Sequence, residues 1–471
     1  KPSSMARSPS TKSPSFLDAV GQHIIDSAGS LEAHIDAEAL VRQLGADPTG
    51  KSKGAHRALS DLKDLARRAP AAVAANPSVV TAILRVVEQL TPGKEGDFSD
   101  EALEPLQDAL EALSFLIGDA AKGESLGAEV AESIVRHTEK GKRLLRLLSV
   151  RDTATRYDAI VLLQRIYHRQ PAPIDAALLA DPLAFGHLMQ TLQDCHVDYV
   201  RNECLGLLIL LTTSNRDIQT IVTVQGLVET LFEILREEDL TAGGKVARDL
   251  LRCLSNMVGN ATCTKYIRES GGAKLFVEAM SSAVARETED DDDGFGGQGA
   301  DVPEEARWAC LTLLVKAALA LVRSDSDAGA ESGEQSREAA ANRDSLIRAG
   351  ALDLCRHLSD MQVSLAPKLR LIELLDALVP SPLAAQKLLA FREDTVQLIH
   401  AVTSVLMSET SSLPLRSALG RVLGRAVARH ASLQSELCSS LGPQLEDELP
   451  GILPAGRQVV EVLKDAAGGR A

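Results

Sequence analysis

The chain has 471 residues, 45% of them apolar, and carries 50 lysines and arginines against 65 aspartates and glutamates, a formal charge of −15. That balance argues against a protein built to neutralise phosphates along a nucleic acid, while leaving room for local basic patches. Aromatic residues make up only 3%, Leu and Ala dominate, and Val and Ile fall at helical spacing, so an all-α chain is expected.

The longest apolar runs, near 205–211 and 311–322, fall short of the roughly 20 apolar residues that a spanning helix needs, and Lys316 interrupts the second. The N-terminus is charged but lacks the apolar stretch of a secretion signal. Seven cysteines, at 195, 204, 253, 263, 310, 355 and 438, form no CxxC pair. Several lie inside apolar helical runs, so buried reduced thiols of a cytosolic protein are expected rather than zinc ligands.

Residues 1–15 are rich in Ser, Pro and Lys and are expected to be disordered. Residues 16–44 carry one or two amphipathic helices suited to an N-terminal cap, followed by a linker at 45–54. A helix pair over 56–69 and 77–90 comes next, with Asn76 as cap and Pro77 in the first turn. A helix over 101–117 sits between loops at 92–97 and 118–127. From 128 the pattern gives one helix, a second over 140–148, and a third over 153–167 that Pro171 and Pro173 close; Asp181-Pro182 opens another.

Residues 197–280 spell out one helical unit twice. In the first copy Val200-Arg201-Asn202-Glu203-Cys204 leads into Leu207, Leu208, Leu210 and Leu211, then Asn215-Arg216-Asp217-Ile218 and the turn Gly226-Leu227. In the second, Val246-Ala247-Arg248-Asp249 leads into Leu250, Leu251 and Leu254, then Asn260, Ile267 and Gly271-Gly272. A third copy joins a helix at 308–322 to Asn342-Arg343-Asp344, which repeats the Asn215 tripeptide, and to Gly350. An acidic, glycine-rich insertion at 287–301 and a polar one at 324–337 displace it, and both are expected to be mobile loops. Helices at 365–379, 383–391, 395–407 and 413–428 continue the series; 443–454 breaks it and 458–466 is a last helix.

A period of roughly 40–47 residues with two or three helices per unit marks armadillo or HEAT arrays. One such unit cannot bury its own apolar faces, so neighbours must stack. The expected fold is an all-α, armadillo/HEAT-like right-handed superhelical solenoid of about 8–10 repeats, in one body over 16–471.

Little chemistry is written in the chain. Glu289 to Gly294 imitates the start of a calcium loop, but Ala300 stands where the bidentate carboxylate belongs. Gly243-Gly244-Lys245 lacks the upstream glycine and following hydroxyl of a phosphate loop. The ten histidines are dispersed, and neither a catalytic triad nor a Cys/His pair emerges. No catalytic residue, cofactor or metal is expected.

Two surfaces remain. Arg421, Arg425 and Arg429 recur every fourth residue and share one helix face, and Lys140, Lys142, Arg143 and Arg146 cluster at another helix start. Each reads first as a solvated face and second as a site for an acidic partner or phospholipid surface. Asn215 and Asn260 read first as helix caps. Arg201, Asn202, Asn215 and Gln219 alternatively form a polar binding row along a concave surface.

Three motifs carry a family likeness: Asp198 to Asn202 entering the leucine run; Thr213-Ser214-Asn215 followed by Ile218-Gln219-Thr220-Ile221-Val222; and Leu231-Phe232-Glu233-Ile234-Leu235 with Gly243-Gly244, Leu254 and Asn256. Here the sequence resembles the armadillo-like globular head of the general vesicular transport factor family, long coiled-coil tethers of the early Golgi. The likeness is looser back to Lys142 and forward to Leu423, and the first 125 residues match poorly. No sustained heptad run follows Ala466, which sets the chain apart from the family's coiled coil.

The resemblance implies a cytosolic tether, peripherally associated with Golgi or vesicle membranes, acting between the endoplasmic reticulum and the Golgi without enzymatic activity. Its implied partners are a Rab-type small GTPase and other tethering and fusion proteins, with a homodimer as a further expectation. The matching partner patch is Arg201, Asn202, Asn215, Ile218 and Gln219. An armadillo-type nucleotide-exchange regulator of a GTPase or chaperone, or a generic armadillo adaptor, is the alternative. A nuclear import receptor fits poorly, since Trp308 is the single tryptophan.

Overall fold

The computed structural model describes residues 32–33, 35–47, 52–91, 99–118, 125–181, 183–194, 197–240, 242–284, 308–322, 332–358, 363–390, 398–408, 411–433 and 435–436. Among these residues helices are the regular structure and no strand occurs. Residues 1–15, the insertion at 287–301 and the expected helix at 458–466 lie outside them. The polar insertion at 324–337 is shorter than its composition suggests, because its last residues open helix Ser332–Ala349.

The chain divides into two compact units, Lys1–Thr191 with Cys195–Leu207, and Leu192–Asp194 with Leu208–Ala471. In the first, helices Lys53–Arg68, Asp100–Ile117 and Thr153–Arg169 pack side by side in that order. Polar side chains fix their register. Lys63 pairs with Asp108, the Gln107 amide donates to Asp152 and Thr155, and the Arg165 guanidinium donates to the Ser114 carbonyl. Beneath this seam Leu106, Leu110 and Leu113 are fully buried, each worth about 2 kcal/mol of transfer free energy. Local signals act as expected: Asn76 accepts from the Ser78 N–H at 3.1 Å ahead of Pro77, and Asp152 accepts from the Thr155 N–H at 2.7 Å.

The second unit packs its helices in three rows. One row runs Lys245–Val258, Ala309–Val322, Leu365–Leu378, Leu413–Arg429. A second row runs Arg216–Val224, Ala261–Glu269, Ser332–Ala349, Pro382–Leu389. The third runs Leu227–Glu237, Gly272–Val284, Ala351–Leu358, Leu398–Met407. Three helices per repeat, each contacting its counterpart in the next, is the armadillo arrangement. Phe232 and Phe276 meet edge to face at 4.9 Å as one such counterpart pair.

The turn from the second row to the third needs a left-handed residue, which glycine adopts without a Cβ clash. Gly226, Gly271 and Gly350 hold φ of 92°, 84° and 100° there. Of the two adjacent glycines of the second repeat, Gly271 is the counterpart of Gly226. Gly272 already belongs to the helix and is required for closeness, since a Cβ there would lie 2.5 Å from the Ile267 side chain. Gly141, with φ 90°, makes a similar turn in the first unit, which the spacing alone did not reveal.

No single described helix is long and apolar enough to cross a membrane. The bent pair Arg216–Val224 and Leu227–Glu237 has the length and composition, but Ile218, Val222, Leu227 and Leu231 belong to the core of their unit.

Candidate partner surface

The asparagines that punctuate the repeats are structural. Asn215 accepts from the backbone N–H groups of Asp217 and Ile218, both at 3.1 Å, and so caps helix Arg216–Val224. Asn260 caps helix Ala261–Glu269 through Thr262, while its amide donates to the Arg216 carbonyl at 3.0 Å and to Thr220. Asn342 departs from the expected repeat. It lies inside helix Ser332–Ala349, buried, and donates to the Leu321 carbonyl at 2.9 Å, while Ser381 caps the next short helix and donates to Asp344.

Two residues of the expected partner patch move to the interior. Ile218 is 0% exposed, and Gln219 is 6% exposed with its amide donating to the Thr212 carbonyl at 2.7 Å. The cap at Asn215 sets the phase of the short helix, and that phase turns both side chains inward. Asn215 itself is half-buried and spends its oxygen on capping. Arg201 is half-buried and pairs with Asp198 at 3.2 Å, and the Asn202 amide oxygen is buried without a hydrogen bond. Arg201 and Asn202 fall in the first unit, and Asn215, Ile218 and Gln219 in the second.

The two basic clusters differ. Arg421, Arg425 and Arg429 are all exposed, because Leu419, Val422, Leu423 and Ala426 of the same helix face the core. Arg425 pairs with Asp376 at 2.7 Å. Burial and the nearby Arg429 hold the Arg343 guanidinium below its usual range, against the opposing charge of Asp344. By contrast, Lys140 sits in a left-handed turn before helix Lys142–Arg146, and Arg143 is committed to Glu139 and Glu88 at 2.8 and 3.1 Å. That cluster staples a turn.

Cys204, Cys253, Cys263, Cys310 and Cys355 are buried free thiols, as their apolar neighbours suggest. Burial pushes Cys253 and Cys355 up to about 12, which keeps them unreactive. Among the described residues no group of His, Cys, Asp and Glu is placed to hold a metal ion.

No family model matches the sequence. Over 150 residues it is 30% identical to general vesicular transport factor p115 of Homo sapiens, covering 32% of this chain and 16% of that one. Over 155 residues it is 32% identical to Golgin candidate 6 of Arabidopsis thaliana, covering 32% and 17%. Over about a third of its length the chain is similar to general vesicular transport factors. The matched segment spans under a fifth of those relatives' length. The fold agrees over a wider range: the crystal structure of Uso1-2 superposes with a TM-score of 0.67 at 15% identity, covering 88% of this chain and 63% of that one. The sequence similarity thus covers about a third of the chain, and the likeness in helical fold extends beyond it.

Sequence spacing does not reveal two features of the first unit's packed helices, the Lys63 pairing with Asp108 and Glu111 and the edge-to-face meeting of Tyr157 and Tyr199. Each residue is ordinary on its own helix. Only the interhelical register brings them together.

Proposed function

We propose that this chain is a non-enzymatic vesicle-tethering module in transport between the endoplasmic reticulum and the Golgi, peripherally associated with Golgi or vesicle membranes. The observation that carries the reading is the 30% identity to p115 over 150 residues. The three-row repeat packing supports it, since rigid stacked helices present a wide surface whose ordering cost is met on folding rather than on binding.

In this reading the chain binds a Rab-type GTPase and other tethering or fusion factors. Arg201, Asn202 and the helix start at Asn215 remain proposed contacts, while Ile218 and Gln219 act from beneath as support. The Arg421, Arg425 and Arg429 face takes an acidic partner segment. A tether reports membrane identity only if it favours one nucleotide state of its GTPase.

The test is capture of small GTPases from cytosol, followed by binding of each recovered GTPase loaded with GDP or a non-hydrolysable GTP analogue. Preference for the GTP form without faster nucleotide release is expected. Tightest binding to the GDP or empty form, with faster release, makes the chain an exchange regulator and overturns the tether reading. A monomer mass independent of concentration in sedimentation removes the proposed homodimer.

A further inference from the structure

Between two successive repeats of the second unit lies a cavity of about 420 Å³, within the roughly 300–1,000 Å³ of clefts that hold ligands. It sits where the third row of helices gives way to the first. Leu358 ends one helix of the third row, and Ser404, Val405 and Ser408 close the next. Leu365 and Lys368 come from the first turn of helix Leu365–Leu378, and Ser412 and Leu415 from the start of helix Leu413–Arg429.

The wall has two characters. Leu358, Val363, Val405 and Leu415 are buried and give it an apolar side. Lys368, 8% exposed, is the one charged residue on it among the described residues, and four serines supply hydroxyls on the same wall. An ammonium has three N–H donors, so a protein acceptor on one leaves others for a ligand oxygen. The exposed Ser412 does not cap its helix with its side chain, so its hydroxyl is not committed to that task. The apolar character continues past the mouth, because Leu365 is 38% exposed and Leu413, beside Ser412, is 57% exposed.

We infer that this cavity binds the C-terminal end of a partner peptide, taking its aliphatic last side chain on the apolar side and its terminal carboxylate on Lys368 and the serine hydroxyls. An aliphatic side chain gains by transfer from water onto buried leucine and valine, and a carboxylate accepts from an ammonium in a charge-assisted bond. The exposed leucines favour a chain that continues out of the cavity over a small carboxylate that ends within it. None of the residues proposed to contact a GTPase lines the cavity, so this inference is independent of the tethering reading.

The experiment measures fluorescence anisotropy of a glycine-rich hexapeptide, labelled with fluorescein at its N-terminus and ending in two leucines with a free carboxylate. It is titrated with the full chain at about 150 mM salt, where diffuse attraction is screened. Saturable binding is expected, weakened about tenfold by amidation of the peptide terminus and by Lys368→Met. Lys387→Met, which removes an exposed lysine elsewhere in the same unit, should leave it unchanged. Ser412→Phe, at an exposed position, puts a ring into the mouth and should abolish binding. Circular dichroism confirms the fold of each variant, and the amide and Ser412→Phe decide if Lys368→Met fails to fold. Absence of saturable binding overturns the inference, and so does equal affinity for acid and amide or for the parent and Ser412→Phe. Displacement by octanoate as readily as by unlabelled peptide assigns the cavity to a free fatty acid and overturns the peptide.

Discussion

The side-chain amide of Asn260 donates to the backbone carbonyl of Arg216 at 3.0 Å, tying the cap of one short helix to the first turn of its counterpart in the preceding repeat. The same side chain accepts from the Thr262 N–H, also at 3.0 Å, so one residue both starts its helix and sets the repeat register.

Asn260→Ala should therefore cost roughly 2–3 kcal/mol, more than the roughly 1 kcal/mol of a lost cap alone. Asn260→Asp, which keeps the acceptor and loses the donor, should cost less than Asn260→Ala. Urea midpoints of the two variants check the order; a loss on Asn260→Ala no larger than about 1 kcal/mol would reduce Asn260 to a cap.

Two adjacent glycines should fail for different reasons. Gly271→Ala meets no neighbour within 4 Å but is held at φ 84°, so it should cost about 1–2 kcal/mol in backbone strain. Gly272→Ala is conformationally tolerable but brings a Cβ to 2.5 Å from Ile267 Cγ2 and 2.7 Å from the Ile267 carbonyl oxygen, so it should cost more than Gly271→Ala, and Ile267→Val, which keeps both atoms, should rescue neither. Thermal midpoints of the single and double variants decide.

Gln219→Ala should lower stability by about 1–2 kcal/mol, since it leaves the buried Thr212 carbonyl without the amide that it accepts from. Loss of the Arg201 pair with the exposed Asp198 should by itself cost under about 1 kcal/mol of unfolding free energy in Arg201→Ala, because that pair is screened. If both variants also lose partner capture, only the Arg201 result speaks for direct contact.

Burial raises Asp158 from 3.8 to about 7, with neighbouring carboxylates adding to the effect and Lys63 opposing it. The folded chain thus holds a proton that the unfolded chain releases. Its contribution to stability is complete below about pH 4 and is lost as pH rises through 7. Asp158→Asn should remove this dependence and gain about 2 kcal/mol near pH 8, with the gain shrinking toward pH 4. Chemical denaturation across that range tests it, and a gain independent of pH would contradict the assignment.

With Cys195 and Cys438 replaced by Ser, the native chain should resist an aromatic disulfide reagent, and its five buried thiols should react only after unfolding. Rapid labelling in the native state would show that the core opens more readily than its packing implies.

Apolar spacing and punctuation settled the class of this protein from the sequence alone. Leu207, Leu208 and Leu211, or Leu250, Leu251 and Leu254, can be buried together only on a helix, and Gly226 and Gly350 stop helices where a left-handed turn is needed. Those constraints are local, so each residue declares them within a few positions of itself. The same local logic made Asn215 and Asn260 legible as caps.

What the tertiary structure alone decided is which polar residues face one another and which way each face turns. Ile218 and Gln219 look like neighbours of a surface asparagine, yet the phase set by the cap sends both inward. Tyr157 and Tyr199, or Lys63 and Asp108, stand on different helices, and their meeting depends on interhelical register. Register comes from the summed fit of many side chains across a seam, and a one-dimensional pattern does not encode that sum.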